Sequence, residues 1–137
     1  MQPKISIIIP TLNEEENIRK TVTHTRQSAN NEDDLEFIII DAGSTDATVQ
    51  IGNDLSIRSI VNPALAGAKC KSMNRGVQNT TGEILLFLDA DTLLPLHFDK
   101  LIKSTLTNDI IGGAFDMTLD NSNWKYQTLS WANRLRY

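Results

Sequence analysis

The sequence predicts an open α/β sheet, mostly parallel, with helices on both faces and a ligand site beyond the strand ends. Three observations carry this. Residues 5–9, 35–40 and 84–88 are short, continuous apolar runs, and unbroken runs suit strands covered on both faces rather than strands with one wet side. Stretches with helical spacing separate them, and strict alternation of strand and helix favours a parallel sheet with crossover helices. Each run also stops abruptly in polar or turn residues: Pro10-Thr11-Leu12-Asn13, Asp41-Ala42-Gly43-Ser44 and Asp89-Ala90-Asp91-Thr92. In open α/β sheets, ligands bind outside the carboxyl ends of the strands.

The elements follow in order. After the first strand, residues 14–30 start acidic, which suits a helix N-terminus, and place Ile18, Val22 and Ala29 at approximate helical spacing. The second strand leads to a short helix over 46–53. Residues 59–61 read as a weak strand, and 68–79 as a helix with Met73 and Val77 one turn apart. After the strand at 84–88, residues 95–106 read as a helix: proline suits a first turn, and Leu94, Phe98, Leu101, Ile102 and Leu106 share a face. A further strand is expected over 112–119. Trp124, Thr128, Trp131 and Leu135 then mark an amphipathic helix. Residues 30–34 form the most exposed loop.

The 137 residues suit a single domain spanning 1–137. With 40% hydrophobic and 22% charged residues the composition is that of a folded globular chain. A net charge of -4 provides no basic face, which excludes nucleic acid as a partner. A nucleotide diphosphate remains compatible if a metal ion or a few local cations mediate. Cys70 is the only cysteine, so neither an intrachain disulfide nor a thiolate zinc site can form, and a cytoplasmic location is expected. Lys4 runs directly into the first strand, which reads as no signal peptide. No apolar run reaches the ~18 residues of a transmembrane helix. Peripheral association with the inner face of a membrane stays open.

The chemistry concentrates in four segments. Asp89-Ala90-Asp91-Thr92 puts two carboxylates one residue apart at the mouth of a buried strand, where a hard divalent cation offsets their repulsion and can bridge them to phosphate oxygens. In Asp41-Ala42-Gly43-Ser44-Thr45-Asp46, Gly43 permits a tight turn and residues 44–46 suit a helix cap, which leaves Asp41 for a ligand hydroxyl or base N–H. Pro10-Thr11-Leu12-Asn13-Glu14 joins the first strand to its helix. Lys69 and Lys71 open the third helix, where positive charge opposes the macrodipole and a polyanionic ligand would explain it. Neither a dinucleotide fingerprint nor a P-loop is present. A nucleotidyltransferase would need a glycine-rich basic loop after the first strand, and Pro10-Thr11-Leu12-Asn13 is not one. His24 and His97 stand alone.

In this order the segments resemble the family 2 glycosyltransferases of the GT-A, Rossmann-like nucleotide-diphospho-sugar transferase fold. The matching pieces are residues 7–14, 39–46, Asn74-Arg75-Gly76, residues 82–92 and Pro95. The resemblance implies glycosyl transfer from a nucleoside diphosphate sugar, a UDP-sugar foremost, with a divalent cofactor (Mg2+ or Mn2+) and inversion at the sugar. It assigns base and ribose contacts to Pro10, Thr11, Glu14 and Asp41, with Asn13 in the same segment. Lys69 would contact the nucleotide, and Asp89 and Ala90 would lie near the ribose or sugar. The metal falls to Asp91, with Asp89 beside it. Two departures stand out: Ala42 replaces the usual second aspartate of its turn, and Lys69 stands where arginine is common. No acidic acceptor-side motif follows Gly113, so the general base is expected beyond Tyr137, with the chain ending before the acceptor segment. The alternative is a truncated, non-catalytic nucleotide-sugar-binding module. Self-association through the C-terminal helix is also expected, because its tryptophans would otherwise be exposed.

Overall fold

The computed structural model of the protein describes residues 3–106 and 109–116. The chain divides into two compact units, Met1–Ser104 and Thr105–Tyr137. The first contains four parallel strands, β1 (Ile5–Thr11), β2 (Leu35–Asp41), β3 (Arg58–Val61) and β4 (Ile84–Phe87), in the sheet order β3-β2-β1-β4. The helices between and after them are α1 (Ile18–Ser28), α2 (Thr48–Asp54), α3 (Lys69–Val77) and α4 (Phe98–Thr105).

Both faces of β1 are covered, as its unbroken apolar run requires. Ile5, Ile7, Ile8 and Ile9 are all 0% exposed. Ile5, Ile7 and Ile9 join Ile18 and Val22 of α1 and Phe98 of α4 in one core cluster, with Ile51 and Leu55 of the α2 region packed against it. Ile8 points the other way, as alternation along a strand dictates, and clusters with Ile38, Ile40 and Leu65. Here α3 crosses the sheet at Gly76, where an added Cβ would sit 2.3 Å from Ile8 Cγ2. The close approach depends on the missing side chain.

Several boundaries differ from the sequence expectation for local reasons. Helix α1 begins at Ile18 rather than Glu14. The backbone N–H groups of Glu14 and Glu15 are bound by Thr48 Oγ1 and the Asp46 carboxylate, and residues 14–17 form a turn instead. Helix α4 begins at Phe98 rather than Pro95, because His97 has φ 59°, a left-handed conformation that interrupts a right-handed helix. On α4, Phe98 is buried but Leu101 is 48% exposed, so Leu101 lies off the core face. The loop at 30–34 is tied back: Asp99 accepts from the N–H groups of Asn30 and Asn31, and Asp34 pairs with Lys103 at 2.6 Å. Over 112–116 no strand forms. Gly112 and Gly113 supply no side chain to pack there. The expected helix with Trp124 and Trp131, and with it the expected self-association surface, lies outside the described residues. Among the described residues no helix is long and apolar enough to cross a membrane.

Two predictions follow from this packing. Gly76→Ala should destabilise the fold by about 1–3 kcal/mol through overpacking against Ile8, measured by urea denaturation. The second concerns acid. Burial acts to raise Asp99 and Glu36, but hydrogen bonds outweigh it: the Asn30 and Asn31 amides hold Asp99 below 3.8, and Ser6 and Thr81 hold Glu36 below 4.5. A carboxyl depressed in the folded state contributes stability that is present above its unfolded pKa and lost as pH falls through the folded one. The urea midpoint should therefore hold steady down to about pH 5 and fall progressively below about pH 4. A midpoint that is flat to pH 3 would contradict it.

Candidate functional site

The strand order places the site. Helices α1 and α2 lie on one face, while α3 crosses on the other and returns the chain to β4, on the far side of β1. The direction of winding reverses beside β1, and a crevice opens at the strand ends at such a switch point. A cavity of about 360 Å3 lies there, within the range of small-molecule sites. The end of β1 supplies Pro10 and Thr11 to its lining and the β1–α1 loop supplies Leu12 and Glu14; Ala42 follows β2, and the loop after β4 supplies Asp89, Ala90 and Asp91. Leu65, Gly67, Ala68, Lys69 and Ser72 close it from the approach to α3 and its first turns.

The Asp-Ala-Asp loop has a physical logic. Ala90 is buried, in the cluster of Ile5 and Phe98, and its carbonyl accepts from Thr21 Oγ1 at 2.6 Å. The segment is a turn closed by the Thr92 N–H on the Asp89 carbonyl at 3.1 Å, and with the alanine buried the aspartates on either side of it are exposed. Asp89 meets Lys69, the first residue of α3, with Nζ 2.5 Å from its Oδ1. Both side chains are more than half or half exposed, so the pair adds little to stability. What it does is set charge across the cavity mouth. Asp91 has no cation beside it among the described residues; its partner is the Thr92 hydroxyl at 3.4 Å.

In the loop after β4, the donor set that could face a cation is limited to two carboxylates. Asp91, with Asp89 next to it, presents hard carboxylate oxygens at an open mouth, and no cluster of three or more His, Cys, Asp or Glu exists among the described residues. Such a site leaves most coordination positions to phosphate and water, as Mg2+ prefers.

Asp41 and Asn13 do not line the cavity. Asp41 is 0% exposed, and its two oxygens accept four hydrogen bonds. Gly43 N–H and Ser44 N–H donate to Oδ1, and Thr11 Oγ1 and Ser44 Oγ donate to Oδ2. This is possible because Thr11 and Asp41 are register partners at the ends of β1 and β2. Asn13 adopts φ 57°; its N–H donates to Ser44 Oγ and its Oδ1 accepts from Thr45 N–H. Asp46 accepts from the N–H and the hydroxyl of Thr48 at the start of α2. Burial acts to raise the Asp46 carboxyl, yet the Thr48 and Glu15 hydrogen bonds leave it below its ordinary value. Together these groups lock the two loops to each other, and Glu14 reaches the cavity from that frame. Ala42 and Ser72 were not marked as site residues by sequence alone. Ser72 carried a usable signal, since it lies three residues after Lys69 and so on the same helix face. Leu65 carried none.

The chain matches the family described as "Glycosyl transferase family 2" over residues 6–137. The chain belongs to that family. This family 2 chain is 39% identical over 133 residues to a PGL/p-HBAD biosynthesis glycosyltransferase of Mycobacterium tuberculosis, a match covering 89% of the chain and 50% of that protein. It spans between 41% and 50% of the length of the first curated relatives it matches. Among solved structures, S. aureus TarS in complex with UDP superposes with TM-score 0.68 at 25% identity, over 74% of this chain and 31% of that one. Glucosyl-3-phosphoglycerate synthase from Mycobacterium tuberculosis, in complex with Mn2+, UDP and glucosyl-3-phosphoglycerate, superposes with TM-score 0.53 at 27% identity, over 64% and 33% of the two chains. The open parallel sheet of the family 2 chain is thus the GT-A one.

The hydrogen bonding of Asp41 yields a prediction. Asp41→Ala should cost about 2–4 kcal/mol of fold stability, because two hydroxyls and two backbone N–H groups lose their acceptor. Urea denaturation measures it. A variant as stable as the parent would show that the carboxylate is not needed by the turn.

Proposed function

We propose that the chain forms the donor side of a metal-dependent family 2 glycosyltransferase and binds a nucleoside diphosphate sugar, with UDP as its nucleotide, in the cavity at the end of β1. One observation carries this reading. Three carboxylates, Glu14, Asp89 and Asp91, face one ammonium, Lys69, around a cavity of nucleotide size. A diphosphate cannot settle against that excess of negative charge without a counter-cation.

The topology supports one direction for the donor. Ala42 and Leu65 make an apolar wall on the β2 side of β1, which suits a nucleoside. Asp89 and Asp91 follow β4, on the opposite side, which suits the diphosphate. Asp91 would hold Mg2+ or Mn2+ there with Asp89 as its neighbour, and the ion when bound supplies charge neutralisation at the leaving diphosphate. Lys69 can give its ammonium to a phosphate oxygen in place of Asp89. Thr11, Pro10 and Glu14 border the nucleoside from the β1 loop; Asn13 and Asp41 hold that border in shape. Support comes from the two solved relatives named above, one bound to UDP and the other to UDP with Mn2+. Transfer to the acceptor with inversion would complete the reaction, a carboxylate base taking the hydroxyl proton.

Calorimetric titration with UDP tests the reading. Binding should appear with Mn2+ and weaken sharply in EDTA. Asp91→Ala should weaken the metal-dependent binding at least about tenfold, or about 1.4 kcal/mol, with an unchanged melting temperature. Affinity indifferent to both chelator and substitution would sink the metal role, and absence of UDP binding would sink the donor site.

A further inference from the structure

Helix α1 directs one of its buried hydroxyls outside itself. A threonine inside a helix can return its hydroxyl to the carbonyl four residues back, and Thr25 does so, donating to the Thr21 carbonyl at 2.8 Å. Thr21 is 1% exposed and does otherwise. Its hydroxyl donates to the Ala90 carbonyl at 2.6 Å, far along the chain in the loop after β4. His24 and Ser28, on the same face of α1, continue the contact. The Leu94 carbonyl accepts from His24 Nε2 at 2.8 Å, and the Ser28 carbonyl accepts from the His97 N–H at 2.6 Å. The segment that leaves β4 is thus laid along α1 and fastened at Ala90, Leu94 and His97.

The first of these fastenings bears on the site. The Ala90 carbonyl belongs to the peptide unit that leads into Asp91, and a peptide unit is planar. Holding its oxygen therefore fixes the N–H and Cα of Asp91. The turn's own bond, from the Thr92 N–H to the Asp89 carbonyl at 3.1 Å, does not involve that oxygen, and Asp91 itself is exposed. Packing alone does not call for threonine at position 21, since valine has nearly the same shape and carries no polar atom to satisfy. We propose that Thr21 is a positioning residue of the donor site. From the core, through the Ala90 carbonyl, it sets the Asp91 carboxylate where a divalent cation is to be held. The assignment rests on the donor reading above. Groups that orient a metal ligand from behind change metal affinity without touching the ion.

The test uses Thr21→Val, which removes the hydroxyl and keeps the shape, and Thr21→Ser, which keeps the hydroxyl. In the chain without ligand, amide hydrogen exchange at Thr92 should quicken at least about threefold in Thr21→Val relative to the amides of β1, and stay within about twofold of wild type in Thr21→Ser. In calorimetric titrations, UDP binding in the presence of Mn2+ should weaken about threefold to tenfold in Thr21→Val and be restored in Thr21→Ser. Added to Asp91→Ala, Thr21→Val should change the remaining UDP affinity by less than about twofold, because the carboxylate it positions is gone. A threonine that merely supports the core would quicken exchange in β1 as much as at Thr92, and would weaken binding equally with or without Asp91. Either result overturns the proposal, as does a Thr21→Val chain with unchanged exchange and binding. Absence of UDP binding by the wild-type chain would instead bring down the donor reading, and the role of Thr21 in it, whatever the exchange shows.

Discussion

Burial of β1 on both faces is the constraint from which the rest of the structure follows. A strand of successive isoleucines leaves no face that water can solvate, and each fully buried isoleucine contributes about 1.5–3 kcal/mol relative to exposure. One layer of helices cannot meet that demand. Helices α1, α2 and α4 cover Ile5, Ile7 and Ile9, and α3 covers Ile8. To reach the second face, the chain must reverse its winding after β3 and come back on the far side of β1. The crevice at the strand ends is a consequence of that reversal.

Around the crevice, polar residues divide into those that hold its shape and those that face into it. Asp41 is the centre of the first group, with all its acceptor capacity used by Thr11, Gly43 and Ser44. Asn13, Glu15, Asp46 and Thr48 continue the same stitching between the β1 and β2 loops. A loop whose donors and acceptors are satisfied within the fold needs no ligand to be ordered, and holds the cavity wall in place beforehand. That is the structural basis of preorganised binding.

The second group is defined by charge. With Ala90 buried, Asp89 and Asp91 are exposed at the mouth, and Lys69 answers only one of them. The residual negative potential there is what a divalent ion and a diphosphate together would cancel. The apolar wall of Ala42 and Leu65 sits on the other side of β1. The sheet order itself therefore separates an apolar side of the crevice from a charged one.

Much of this was legible in the sequence. The isoleucine runs and their polar ends predicted the parallel sheet, and β1, β2 and β4 lie where those runs are. Asp89, Asp91, Lys69, Thr11, Pro10 and Glu14 were marked by residue type and position after strands, and they converge on one cavity. Local chemistry determines this much, because strand ends, carboxylate spacing and helix starts are properties of short segments. What only the tertiary structure decided is where each polar atom spends its hydrogen bonds. Asp41 read as open to a ligand because one of its donors, Thr11, lies 30 residues away in sequence and comes beside it only through strand pairing. His97 interrupts the expected start of α4 as its N–H bonds the Ser28 carbonyl, 2.6 Å away at the end of α1. Periodicity reports which face a residue lies on, whereas its partners depend on contacts distant along the chain.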